Sequence, residues 1–158
     1  MLTIGHRTVH PTMKTTLTYT TRKATASDYP YCYRLTKRNM LVLFTRHWGG
    51  WVPAKFREGF VVADIEMIVV DGRRAGLLSL RTSADGIFID NIQISPAQTG
   101  RGIGTSILQK LIRRQGRKTL SLTTFDDNPA KRLYERMGFI VVQREGARLS
   151  MARAPAVT

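Results

Sequence analysis

The hydrophobic pattern of this chain changes period several times, and each change marks an element. Leu17 and Tyr19 alternate with Thr18 and Thr20, so Thr15 to Lys23 reads as a first strand. Ser27 or Asp28 can cap a helix that accepts Pro30 in its first turn. Tyr31, Leu35 and the run from Met40 to Phe44 give that helix a buried side as far as about Phe44. Trp48-Gly-Gly-Trp51 breaks it, and a short helix follows from about Pro53 to Val62. Glu66 to Val70 and Ala75 to Leu80 flank Asp71-Gly72, a strong hairpin signal. Ile87 to Ile94 is the next strand, after the Asp85-Gly86 turn. Ile103, Ile107, Leu108, Leu111 and Ile112 then form one helical stripe. Leu120 to Phe125 is a further strand. Asn128-Pro129 opens a last helix that Gly138 closes, and Phe139 to Arg144 with Ala147 to Met151 make a terminal hairpin.

The order β-α-α-β-β-β-α-β-α-β-β predicts an α/β (α+β) fold, a mixed and mostly antiparallel sheet flanked by helices. One domain is expected over residues 15–158, behind a flexible N-terminal extension of residues 1–14 in which Met13 offers an alternative start. The length of 158 residues suits one domain with a proper core. The single cysteine, Cys32, leaves no internal disulfide and makes a reducing cytoplasm the expected compartment. No run reaches the roughly 20 apolar residues of a membrane span, so no membrane partner is expected.

Candidate chemistry begins between the Ile87–Ile94 strand and the helix after it. Gly100, Gly102 and Gly104 let the backbone turn tightly and approach a ligand. The helix start adds unpaired N–H groups and the positive end of its dipole, so the segment reads as a phosphate site. A P-loop would need lysine after Gly104, where Thr105 stands. The Gly-x-Gly-x-x-Gly dinucleotide fingerprint fails in both frames, giving Thr105 counted from Gly100 and Ile107 from Gly102. Those failures weigh against a dinucleotide oxidoreductase.

Ile94-Ser-Pro-Ala-Gln-Thr-Gly-Arg-Gly-Ile-Gly-Thr105, followed by Asn128-Pro-Ala-Lys-Arg-Leu-Tyr-Glu-Arg-Met-Gly-Phe139, resembles the GNAT superfamily of acyl-CoA-dependent N-acetyltransferases. The resemblance covers about Thr15 to Met151 and rests on both motifs at their expected separation. It implies acetyl-CoA as cosubstrate, with the backbone of Thr99, Gly100, Arg101, Gly102, Ile103, Gly104 and Thr105 around the coenzyme A pyrophosphate. The family motif usually begins with Gln or Arg where Thr99 stands. It further implies the main chain of Ile92, Gln93 and Ile94 beside the pantetheine arm, and Asp127, Asn128, Lys131 and Tyr134 near the cofactor. The family's loop Asn often sits seven residues before the Tyr, and here that position is Asp127; Asn128 also has a plain role as helix cap.

Tyr134 is the family's usual general acid. Ala130, Leu133, Tyr134 and Met137 also fall at i, i+3, i+4 and i+7, so a packing role is open to it as well. The base depends on the acceptor: at pH 7 a lysine-like amine costs about 4–5 kcal/mol to deprotonate and an α-amine about 1. Glu66, ranked slightly first, and Asp90 are the candidate bases, with His47 third. Cys32 lacks a neighbouring His and is not expected to carry an acetyl group.

Charge then bears on the acceptor. With 25 Lys and Arg against 11 Asp and Glu, the net charge of +14 suits acidic ligands and opposes a polycationic one. Trp48 and Trp51 could wall an amine, and Arg81 could meet a carboxylate. The expected acceptor is a primary amine, anionic or amino-acid-like, or a protein terminus. No metal-ligand spacing appears, and no basic strip interleaved with aromatics marks a dedicated nucleic-acid module. The competing reading is a coenzyme A-binding sensor, or a module associated with nucleic acid, without turnover. The terminal hairpin leaves an edge through which a homodimer could form.

Overall fold

The computed structural model describes residues 18–156. The expected extension, residues 1–14, and the start of the expected first strand lie outside the described residues. Strand β1 is Thr20–Lys23, followed by helices α1 (Tyr29–Trp48) and α2 (Pro53–Gly59). Strands β2 (Ile65–Val70), β3 (Arg73–Thr82) and β4 (Gly86–Ile94) come next, then helix α3 (Ile103–Arg114). Strand β5 (Thr119–Phe125), helix α4 (Lys131–Arg136) and strands β6 (Ile140–Glu145) and β7 (Arg148–Arg153) complete the described chain. The sheet runs β1-β2-β3-β4-β5-β7-β6 and is antiparallel except for the β4–β5 pair. This is the mixed, mostly antiparallel sheet the sequence predicts.

Several boundaries differ for visible reasons. Helix α1 continues past Phe44 to Trp48, because Phe44, His47 and Trp48 all pack their rings on Phe125. It ends at Gly49, which adopts φ 77° as a left-handed cap. Helix α2 stops at Gly59, short of the expected Val62, where Phe60 turns extended and sets its ring edge-on to Tyr29 at 4.9 Å. Helix α4 begins at Lys131, because Asn128 Oδ1 first accepts the Ala130 N–H at 3.0 Å in a capping turn. At the β2–β3 turn, Asp71 and Gly72 have φ 50° and 73°, the paired positive angles that a two-residue hairpin turn requires.

Helices cover both faces of the sheet. On one face Ile103, Ile107, Leu108 and Leu111 of α3 and Tyr134 of α4 join Ile68, Leu78, Leu120 and Leu149 in the larger core. Each such aliphatic side chain contributes about 1.5–3 kcal/mol on burial. On the other face Cys32, Ile65, Met67 and Leu77 form a smaller core under Tyr31, Phe56 and Phe60. Edge strand β6 is exposed along its length, with Ile140, Val141 and Val142 open to solvent.

Asp28 ties the start of α1 to the sheet. Its carboxylate has no exposed surface and accepts two bonds from Arg22, at 2.8 and 2.9 Å, one from Arg74 Nε at 2.8 Å and the Thr25 N–H at 2.8 Å. The Arg22 bonds are the largest cause holding its carboxyl well below the usual carboxylate range, and burial opposes them.

The centre of the sheet parts. β4 and β5 pair only from Gly86 with Thr119 to Ile89 with Leu122, and beyond that point they separate. β4 also carries one extra residue, since Ser79 faces Asn91 while Leu80 faces Ile89, so Asp90 is the bulge. The Ser95 N–H donates to the Ala75 carbonyl at 2.8 Å, which fixes the alternation: Gln93 turns its main chain to β3, and Ile92 and Ile94 turn theirs to the opening. Gly76 lets β3 and β4 close up there, because a Cβ on it would stand 2.4 Å from the Gln93 carbonyl oxygen.

Two predictions follow from these contacts. Gly76→Ala should destabilise the protein by about 1–3 kcal/mol in denaturant titration, as overpacking does; an unchanged midpoint would mean the strands have room to spare. Asp28→Ala should cost on the order of 2 kcal/mol through lost caps and charge-assisted bonds. A depressed folded value means that this stabilisation is full above the unfolded carboxyl value near about 4 and is lost as pH falls. The gap between wild type and Asp28→Ala should therefore narrow in melts taken below about pH 4. A constant gap would count against the ion-paired carboxylate.

Candidate active site

The parting of β4 and β5 opens a groove of about 1190 Å³ that runs between the two helical layers. At one end it meets the loop before α3. Gly100 and Gly102 have φ 75° and 84°, and nothing lies within 4 Å of where their Cβ atoms would be. That space is open to a ligand, and both angles favour glycine. Ser106 is the first residue to donate back along α3, to Gly102 at 3.0 Å, so the Ile103, Gly104 and Thr105 N–H groups have no partner within the helix. Gly104 instead admits α4, its absent Cβ being 3.4 Å from the Leu133 side chain. Unpaired N–H groups, a helix dipole and free space fit a pyrophosphate. The main chain of Ile92 and the Ile94 N–H, turned away from β3, fit the amides of an extended arm. Those residues would hold coenzyme A, and acetyl-CoA would supply an activated acyl group.

Tyr134 lines the groove. It packs in the core against Phe139, ring centroids 6.1 Å apart, yet it also lines the opening. Burial pushes its phenol up to about 12, so it is a protonated group at any physiological pH. Among the described residues its hydroxyl has no hydrogen-bond partner, and it is not a sealed orphan as the Tyr31 hydroxyl is. Packing and facing the groove are therefore not alternatives for this residue. Cys32 is fully buried with its thiol on the Met67 sulfur at 3.7 Å, and burial pushes its pKa up to about 11, which removes the thiolate a nucleophile needs.

The other end of the groove is aromatic and charged. Trp51 stacks on Phe44 at 5.6 Å and donates its Nε1 hydrogen to the Tyr33 hydroxyl at 3.0 Å, while Trp48 remains exposed over Phe125. Arg81 lies over the Phe88 ring at 4.8 Å and pairs with Asp90 at 3.0 Å. The candidate carboxylate anchor and a candidate base therefore occupy each other. Lys55 and Arg148 also line this groove, and neither has an acidic partner among the described residues.

Several sequence-derived residues fall elsewhere. Glu66 does not reach the groove: strand alternation sends Ile65 and Met67 to the α1 side, and Glu66 turns with its neighbour Leu78 to the opposite face. Lys131 pairs with Glu135 at 3.3 Å one turn along α4, outside the groove. The Arg101 side chain turns back to Gln98 Oε1 at 2.6 Å, leaving only its main chain at the loop. Gln93 lines the groove by its side chain, since its main chain belongs to the β3 ladder. Asn128 accepts the Ala130 N–H in the turn ahead of α4, whose cap position is Ala130 and not Asn128 as the sequence suggests, and it also lines the groove. Asp127 reaches the groove with both oxygens engaged, by Arg46 and by His47 Nε2 at 2.7 Å. The His47 bond first, and Arg46 second, hold its carboxyl below the ordinary value. His47 itself serves this contact and the stack on Phe125 at 4.5 Å rather than the groove.

A polar chain under α1 was not anticipated. Asn91 Nδ2 donates to Thr36 Oγ1 at 3.1 Å, and Gln93 Nε2 donates to Asn91 Oδ1 at 3.0 Å. Asn39 Nδ2 donates to Gln93 Oε1 at 3.1 Å and to the Ile94 carbonyl at 3.0 Å. The available signal was Thr36 and Asn39 on the same side of α1 as Cys32, Leu35 and Leu43, polar residues on an otherwise buried stripe.

Known proteins share this fold. A family model described as the acetyltransferase (GNAT) domain matches residues 57–141. The L-2,4-diaminobutyric acid acetyltransferase of Nocardia farcinica is 39% identical over 87 residues, 51% of this chain and 44% of that protein, so the match spans less than half of the relative's length. Among solved structures, the ribosomal-protein-S18-alanine N-acetyltransferase of Escherichia coli superposes with TM-score 0.69 at 21% identity, covering 89% of this chain and 96% of that one. The PaiA N-acetyltransferase of Thermoplasma acidophilum, solved in complex with coenzyme A, gives TM-score 0.68 at 16% identity over 87% and 99% of the two chains. The family model covers more than half of the chain, and its matched region holds the parted strands, the glycine loop and Tyr134: this protein belongs to the GNAT acetyltransferase family, whose cosubstrate is acetyl-CoA.

Proposed function

We propose that this protein is an N-acetyltransferase acting on a small, amino-acid-like primary amine. One observation carries the reading: the α3 N-terminus, the Tyr134 hydroxyl and the Asp90–Arg81 pair all open into the single groove made where β4 and β5 part. In the transfer, the amine nitrogen bonds to the acetyl carbon as the C–S bond breaks. The amine loses one proton and the departing sulfur takes one up. Tyr134 is placed to donate that proton, and a neutral phenol can protonate a thiolate whose conjugate acid lies near about 8.5. Asp90 is the remaining strand carboxylate at the groove, and it serves as a proton acceptor through water once Glu66 is turned away. Its pairing with Arg81 suits an α-amine-like acceptor better than a lysine-like one, because the former needs about 3–4 kcal/mol less to deprotonate at pH 7.

The acceptor class draws support from two directions. Lys55 and Arg148 leave unpaired positive charge in the groove, which suits a carboxylate on the acceptor and opposes a polyamine. The curated relative is named for L-2,4-diaminobutyric acid, an amine that also carries a carboxylate.

Thiol release from acetyl-CoA across a panel of amines tests the reading. Amino-acid-like amines should be turned over in preference to spermidine. Tight coenzyme A binding with no thiol release from any amine would instead make the protein a binding module. Tyr134→Phe should lower kcat by about 100-fold with the coenzyme A dissociation constant nearly unchanged; unaltered turnover would remove Tyr134 from the chemistry. With its pKa pushed up to about 12, Tyr134 stays protonated as pH rises, so kcat/KM should climb with deprotonation of the amine and show no fall before pH 10. A descending limb centred near about 10 would mean the phenol titrates at its ordinary value. Gly102→Val, which forces a branched residue to φ 84°, should abolish most of the thermal stabilisation given by coenzyme A.

A further inference from the structure

Beyond acetyl transfer, the far end of α3 presents a second basic surface. From Asn91 to Phe125 the chain runs 35 residues without Asp or Glu, and it carries six Lys or Arg there. Four of them, Arg113, Arg114, Arg117 and Lys118, crowd the last turn of α3 and the residues just after it. None makes an ion pair among the described residues, where the acids that do pair are Asp28, Asp90, Asp126, Asp127 and Glu135. The nearest acid along the sheet is Asp85, whose carbonyl accepts the Thr119 N–H at 3.0 Å, one acidic residue against four basic ones. A helix C-terminus favours a cation in its last turn, but Arg117 and Lys118 lie beyond the helix, outside the range of that effect. The cluster also borders a recess of about 430 Å³, with Leu80, Ile87 and Leu111 beneath and Arg114, Arg117 and Lys118 around it.

We infer that this end of α3 binds the phosphodiester backbone of a nucleic-acid duplex without reading its sequence. Unpaired, closely spaced guanidinium groups suit phosphate oxygens, and neutralising phosphates releases counterions whose entropy drives association. A lipid surface fits less well, because membrane docking adds inserted apolar side chains, and the exposed large apolar residues all lie elsewhere, among them Val42, Trp48, Val61 and Val142. Stacking on unpaired bases also fits less well, since no aromatic residue occurs from Ile103 to Lys118. Helix α3 is 12 residues long, so the surface stands about 18 Å from the glycine loop and leaves the groove accessible.

The test is fluorescence anisotropy of a labelled 20-base-pair duplex titrated with the full chain at several salt concentrations. Two variants of equal charge are compared: Arg114→Gln/Arg117→Gln/Lys118→Gln, and Arg34→Gln/Arg38→Gln/Arg57→Gln on the opposite helical layer. Wild type should bind with a slope of log K against log salt of about −3 to −4, matching roughly four phosphates. The α3 variant should lose at least tenfold in affinity and flatten that slope by about 3. The control should keep most of both, and both variants should retain coenzyme A-dependent stabilisation. Equal losses in the two variants would reduce the effect to diffuse net charge and overturn the assignment. So would absence of duplex binding at low salt, stronger binding to inorganic polyphosphate, or stronger binding to vesicles containing 30% phosphatidylserine.

Discussion

Everything in this molecule that can perform chemistry depends on one failure of pairing. Among the described residues β4 and β5 are the only parallel neighbours in the sheet, and their ladder ends at Ile89 and Leu122. A parallel pair joined through a crossover helix imposes no turn at its far end, so the strands are free to diverge there. The bulge at Asp90 bends β4 away at the same point. Each strand keeps its outer partner, β3 on one side and β7 on the other, so the gap is held open by pairing rather than by absence of structure. The cost is a short row of main-chain groups without ladder partners. One of them, the Ile94 carbonyl, is met by Asn39 from α1.

The two helical layers give the two ends of the groove different characters. Helix α3 lies on the larger core and directs its unpaired N–H groups at the opening. Its position is fixed by close contact between Gly104 and Leu133 and by a stripe of four buried aliphatic residues. Helices α1 and α2 sit on the smaller core and supply rings, so that end is shaped by aromatic contacts and by the Arg81–Asp90 pair. The end at the glycine loop is thus made mainly of backbone, and the opposite end mainly of side chains. A backbone site tolerates sequence change as long as its conformation holds.

That division explains what was legible in the sequence. The glycine loop, the α3 stripe, the Asp71-Gly72 turn and the Leu-Tyr-x-x-x-Gly-Phe segment are local patterns, and each lies where its spacing implies. Glu66 was misplaced because a strand residue has two faces, and only its neighbours across the sheet decide which one meets the groove. The Asp127 contacts with Arg46 and His47 join residues 80 and 81 positions apart, and no local signal announces such a meeting. Helical spacing leaves Tyr134 open to a place in the core or at the groove. The residue lies in the core and also lines the groove, a combination that helical spacing alone does not reveal.

The fastening of α1 has a mechanical consequence. Midway along, Thr36 and Asn39 hold the helix to β4 through a partly buried chain of neutral hydrogen bonds, which added salt does not screen. At its tip, Arg46 pairs with Asp127 and His47 hydrogen-bonds to it, exposed contacts that contribute little in water, the Arg46 pair weakening with salt. The helix is therefore a beam clamped at mid-length by neutral bonds and held at its tip by stacked rings as well as by these polar contacts. Added salt can loosen the Arg46 pair, while the rings on Phe125 and the bonds that keep the strand edge beside Ile94 in register stay as they are.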